Sequence, residues 1–114
     1  MSEKEYQQQV AQTIIQQLGG FGRLKAMVNG RNYMSFGHDA ILGHEEASAG
    51  LKFQFSGSRK YSWCVISLDA DDTYSMQFAS VRKNEWKPGE KMSGLYWDML
   101  IPSFEQETGL YLRI

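Results

Sequence analysis

His38, Asp39, His44, Glu45 and Glu46 form the one local cluster of side chains in this sequence able to ligate a transition metal. Imidazole nitrogen and carboxylate oxygen are both zinc-type ligands. A metal-dependent hydrolase would use His38 and His44. Their i, i+6 spacing differs from the i, i+4 pair that sets two imidazoles on one helix face. The segment therefore reads first as a hydrated loop, and no metal or other cofactor is expected. Asp69, Asp71 and Asp72 offer oxygen ligands of the kind calcium takes. They lack the later glycine and glutamate of an EF-hand loop and read as an acidic β-turn. Cys64 sits in an apolar run. A reactive thiol needs access and a group that lowers its pKa, and core packing is the simpler role.

A second set of residues suits polyanions. Arg23, Lys25 and Arg31 lie near Tyr33 and Phe36, Arg59 and Lys60 adjoin Tyr61 and Trp63, and Arg82 and Lys83 precede Trp86 and Lys87. Cations that hold phosphates, interleaved with rings that stack on bases, are what a single-stranded nucleic-acid surface uses. The same pattern arises when core aromatics are rimmed by solvated lysines that blunt sheet edges. Trp97 and Asp98 flank an apolar ridge, and a partly exposed tryptophan there would anchor a protein interface. No phosphate loop, nucleophile elbow or zinc-finger array is present.

These residues need a scaffold, and hydrophobic periodicity supplies it. Ser2 to Glu5 matches a capping box. Tyr6, Val10, Ile14 and Leu18 then repeat every four residues, which predicts an amphipathic helix ended by Gly19-Gly20. Residues 23–28 alternate and predict a first strand, with Asn29-Gly30 as the turn into a second at residues 32–36. Residues 37–50 read as a loop. Period-two alternation predicts strands at residues 51–56, 61–68 and 73–82. Residues 83–91 receive no assignment, and Pro88-Gly89 marks a turn within them. Ser93 predicts the cap of a last helix from Gly94, kinked or broken at Pro102 and closed by Gly109. Leu110, Leu112 and Ile114 alternate and are expected to extend along the sheet.

The fold expected is α+β, one domain over residues 1–114, with an antiparallel sheet of four to five strands and N- and C-terminal helices on one face. A formal charge of −1 argues against a strongly basic nucleic-acid binder and against an acidic DNA mimic. One cysteine rules out an intrachain disulfide and fits a reducing compartment. The polar N-terminus is unlike a signal peptide, so the expected location is the cytoplasm, with no membrane partner. An exposed edge strand could build a symmetric dimer.

Several segments carry a resemblance. Gln17-Leu18-Gly19-Gly20, Gly50-Leu51-Lys52-Phe53, Asp72-Thr73-Tyr74, Tyr96-Trp97-Asp98-Met99-Leu100 and Glu107-Thr108-Gly109-Leu110 together resemble a family of small proteins of phages, prophages and mobile elements. The resemblance carries no activity or catalytic residue. It implies a bacterial host and a mobile-element setting, where small proteins inhibit host defences or accompany DNA replication. Residues 38–48 look partly like an insertion against that family's pattern. The leading expectation is thus a non-enzymatic protein that occludes a host protein, such as a nuclease or CRISPR component of anti-phage defence, through Arg31, Tyr33, Trp86 and Trp97. The alternative is a single-stranded DNA or RNA binder using Arg23, Lys25, Arg59, Lys60, Arg82 and Lys83.

Overall fold

The computed structural model describes residues 2–38, 40–41 and 43–112. Two helices, α1 (Glu3–Gln17) and α2 (Phe21–Val28), precede five strands, β1 (Arg31–Gly37), β2 (Ala47–Gln54), β3 (Trp63–Asp69), β4 (Tyr74–Arg82) and β5 (Glu85–Leu95). A 3-10 turn at Trp97–Met99 leads into α3 (Leu100–Thr108). The sheet is an antiparallel meander in the order β1-β2-β3-β4-β5. The α+β expectation holds, with the N- and C-terminal helices on one face. No helix among the described residues is long and apolar enough to cross a membrane.

Alternation assigns the two faces. Leu51, Phe53, Cys64, Ile66, Met76 and Phe78 point to the helices and share one core with Ile14, Leu18, Leu24, Val28, Leu100 and Phe104. Phe104 of α3 lies in the middle of the aromatic part, with ring centroids 5.1 Å from Phe55, 5.6 Å from Phe78 and 6.3 Å from Phe53. The opposite phase, including Lys52, Trp63, Val65, Ser67, Ser75 and Gln77, forms the outer face. Loop residue Ile41 packs there against Phe36, Ala47 and Val65. Gly50 lets Phe36 lie flat on β2, because a Cβ would collide with the Phe36 ring and the Ile66 carbonyl.

Several expected elements are corrected. Residues 23–28 belong to a helix, not a strand. Leu24 and Val28 are the buried pair, four apart, whereas Ala26 between them is exposed. Asn29 caps that helix in the left-handed conformation, φ 54°, and is not a hairpin turn. The 37–50 loop is shorter than expected, since β2 begins at Ala47. The unassigned stretch is the longest strand, β5. Pro88-Gly89 lies inside it, tolerated because β5 is an edge strand whose register shifts beside Pro88. The β4–β5 connection is a two-residue turn in which Lys83 (φ 52°) and Asn84 (φ 64°) are both left-handed, the turn that matches strand twist.

Ser93 and Gly94 stay in β5, so the last helix starts later than expected. Pro102 is the third residue of α3, where its missing N–H has no intrahelical partner to lose, and it neither kinks nor breaks the helix. Gly109 caps α3 at φ 73° as expected. Leu112 is buried, and its N–H donates to Glu105 Oε2 at 2.9 Å. Residues 110–112 pair with no strand. Ile114 and Asp39 lie outside the described residues.

Candidate functional site

The metal-type cluster comes apart in the fold. His38 is exposed, with Nδ1 3.1 Å from the Ala47 carbonyl. His44 is 1% exposed, turned under the loop onto the outer face. Gln77 Nε2 donates to the Gly89 carbonyl, which leaves Gln77 Oε1 facing His44 Nε2 at 3.0 Å. That nitrogen therefore carries the proton, and neutral Nδ1 accepts from Ser67 Oγ at 2.9 Å. Both ring nitrogens are occupied by protein groups. Among the described residues no three His, Cys, Asp or Glu converge as a metal set.

Ser67 Oγ also lies 3.3 Å from Asp69 Oδ1, and Ser75 Oγ donates to Asp69 Oδ2 and reaches Ser93 Oγ at 3.1 Å. Serine, histidine and carboxylate are present, but in an order unlike a hydrolase triad. There the imidazole stands between serine and carboxylate; here Ser67 stands between His44 and Asp69, and its hydroxyl is fully buried. The network is a clasp that fastens the loop to the sheet. Lys91 Nζ adds a bond to the Gly43 carbonyl at 2.8 Å. In the acidic turn, Asp71 Oδ1 accepts from Thr73 Oγ1 and the Thr73 N–H. Those bonds hold its carboxyl below the ordinary range. Cys64 is on the other face, and burial pushes its thiol well above the usual value, so it is a packing residue.

Burial moves the His44 imidazole below its ordinary 6.5. Lys91 acts in the same direction, and the Gln77 hydrogen bond, Asp69 and Glu45 act against it. The folded protein thus resists protonation more than the unfolded chain does, so stability is lost as pH falls below about 6.5. The urea midpoint is expected to drop between about pH 7.5 and pH 5.5, and His44→Gln to flatten that drop. An unchanged slope in the variant would remove His44 as the cause.

The exposed part of the outer face is different in character. Lys52 Nζ lies 5.0 Å from the Trp63 ring and 4.3 Å from the Trp86 ring, and the two indoles are 5.9 Å apart. A cleft of about 310 Å³ opens beside them, lined by Ala40, Ile41, Lys52 and Trp86. Strand register puts the end of β2, the start of β3, the end of β4 and the start of β5 at one end of the sheet. That end carries Arg82 and Lys83 beyond Trp86 and, on the side of the end of α3 and near Glu107, Arg59 and Lys60; all four cations are exposed and without an ion-pair partner among the described residues. Lys87 pairs with Glu85 at 3.8 Å. Glu45, Glu46, Asp69, Asp71 and Asp72 lie at the opposite end. A net charge near zero thus conceals an uneven distribution, with the connections at one end mainly basic and those at the other mainly acidic.

Other expected contacts are placed elsewhere. Arg23 and Lys25 are on α2, on the helical side, and Arg23 packs over Gly19. Arg31 Nη1 donates to the Asn29 carbonyl and Ser56 Oγ, both at 2.9 Å, and ties α2 to the sheet. Tyr33 is half-buried, stacked on Phe53 and edge-on to Phe21. Trp86 is 41% exposed and Trp97 64%. The sequence reading missed Lys52. Its signal was the strand phase, which sets Lys52 on the same face as Trp63. Comparison with protein families, curated proteins and solved structures finds no match to this chain.

Proposed function

We propose that the protein binds single-stranded nucleic acid on the outer face of its sheet. The observation that carries this is Lys52 set against Trp63 and Trp86, at the end of the sheet where Arg82 and Lys83 and, toward α3, Arg59 and Lys60 are unpaired. The four cations track phosphates, and the exposed indole of Trp86 offers a stacking face that an unpaired base can reach and a paired one cannot. The test is an anisotropy titration with labelled DNA and RNA strands about 15 nucleotides long. With about four phosphates neutralised, log K falls against log salt with a slope of about −3. Affinity is then expected to drop roughly 50-fold from about 50 to 200 mM salt. A flat titration at low salt with both strands, or equal binding of duplex, would refute this reading.

A second reading is a protein partner, in line with the expected inhibitor of a host defence. It is favoured by one observation: Tyr96 and Trp97 are 63% and 64% exposed where β5 leads into α3. Adjacent aromatics of that exposure are interface anchors.

A further inference from the structure

We infer that β1 pairs edge to edge with β1 of a second copy of this chain, antiparallel about a two-fold axis at Ser35. The phase of the ladder fixes which backbone groups the free edge offers. Phe55 N–H donates to the Ser62 carbonyl at 2.8 Å, so the odd-numbered residues of β2 direct their backbone bonds to β3. Gly50 and Lys52 direct theirs to β1, onto Phe36 and Met34. The groups left on the open side of β1 are the Tyr33 carbonyl, the Ser35 N–H and carbonyl, and the Gly37 N–H. None of them has a hydrogen-bond partner among the described residues. Ser35 is exposed. Gly37 is buried, with the Gln7 side chain where a Cβ would stand; that direction is the helical face, across the edge bonds and not along them.

This edge is complementary to itself, which selects a second copy as its occupant. With the axis at Ser35, the two Ser35 residues exchange N–H···O=C bonds, and each Gly37 N–H meets the Tyr33 carbonyl of the other copy. Every outward donor and acceptor is then used. The side chains obey the same register. Tyr33 falls opposite Gly37, which offers no side chain to obstruct it, and Met34, 47% exposed, falls opposite Phe36 on the outer face. Around a two-fold axis a charge meets its own copy, and residues 32–37 carry none. A groove of about 300 Å³ runs beside this edge between β1 and the two N-terminal helices, and its lining, which includes Gln8, Gln12, Phe21 and Ser35, is also uncharged. The other edge is blunted against pairing. In β5, Pro88 lacks an N–H, the register shifts twice, and Glu85, Lys87, Glu90 and Lys91 are charged. An axis through Ser35 keeps both outer faces on one side of the joined sheet, so the proposed nucleic-acid face stays open in the pair.

The full chain is sedimented at concentrations from about 1 μM to about 1 mM. A reversible monomer–dimer equilibrium is expected, with the Ser35 amide exchanging its hydrogen more slowly as concentration rises and the β5 amides unaffected. Ser35→Lys sets two ammonium groups side by side and is expected to weaken the dimer by about tenfold or more. Ser35→Glu alone should do the same, and an equimolar mixture of the two variants should recover pairing as a heterodimer, a result that misfolded variants cannot give. A monomer throughout the range, or a dimer that persists in each variant alone, overturns pairing at β1. Failure of the mixture to recover a dimer overturns the axis at Ser35. Exchange of the Ser35 amide that is independent of concentration overturns the inference in the unsubstituted protein, whatever the variants do. Single-strand binding is measured separately, and its failure would leave the dimer standing.

Discussion

Phe104→Ala is expected to lower the unfolding free energy by about 3–5 kcal/mol, the range for deleting a fully buried aromatic ring. The size follows from position. Phe104 is 0% exposed, and its ring meets Phe53 and Phe55, at and just beyond the end of β2, and Phe78 of β4. Aromatic pairs add to the burial term beyond area alone. No neighbour can close the void without leaving another ring, because all four phenylalanines are held by the same cluster. Phe104→Leu keeps most of the volume and is expected to cost about 1–1.5 kcal/mol. Urea denaturation of both variants measures the difference. Equal small losses would mean that α3 is not the keystone of this core, and Leu100 and Thr108 would then be the residues that dock it.

The fold was legible where burial is two-sided and local. Trp63 to Leu68 alternates because β3 is the central strand and both its faces are covered in part, so each side chain records its face. Residues 23–28 misled because a pair of apolar residues four apart satisfies a helix, while Leu24, Ala26 and Val28 also satisfy a period of two. Gly20 before the segment and Asn29 after it, a helix start and a left-handed cap, are what decide between them. The edge strand β5 was illegible for a physical reason. Most of its residues face solvent, so no apolar rhythm is written into it, and its proline is allowed because β5 has no partner on one side. The His44 clasp could not be found by spacing at all. Its partners lie 23 and 33 residues away, and only strand pairing brings Ser67 and Gln77 beside each other's neighbours.

The same argument explains the candidate site. Composition reports a sum, and the sum is −1. An antiparallel meander sorts alternate connections to opposite ends, so the residues of the 55–62 and 83–84 connections meet at one pole and those of the 38–46 and 70–73 connections at the other. Basic residues fall in the first pair and acidic ones in the second. Under the proposed reading, polarity of this kind would orient a polyanion as it approaches, with the acidic end repelling the strand from the clasp. The sequence showed the charges, and only the topology shows that they are separated.

Electrostatics and stacking can be separated experimentally, and the largest functional effect is expected from the ring. Trp86→Ala should weaken single-strand binding about 5- to 150-fold, the equivalent of removing one base stack worth about 1–3 kcal/mol. Its salt slope should stay unchanged, because an indole neutralises no phosphate. Trp86→Phe, which keeps a ring, should recover most of the affinity. The double variant Arg82→Gln and Lys83→Gln should behave in the opposite way. It removes two phosphate contacts, so the slope becomes shallower by about 1.4, at about 0.7 per contact on a single strand. Lys52→Gln distinguishes two roles for the central cation. If Lys52 contacts phosphate, the slope changes by about 0.7. If it only holds the indoles apart, affinity falls with the slope intact, as in Trp86→Ala. A Trp86→Ala protein that binds like the parent at every salt concentration would leave the cations as a generic rim, and the outer face would no longer be the place where bases are read.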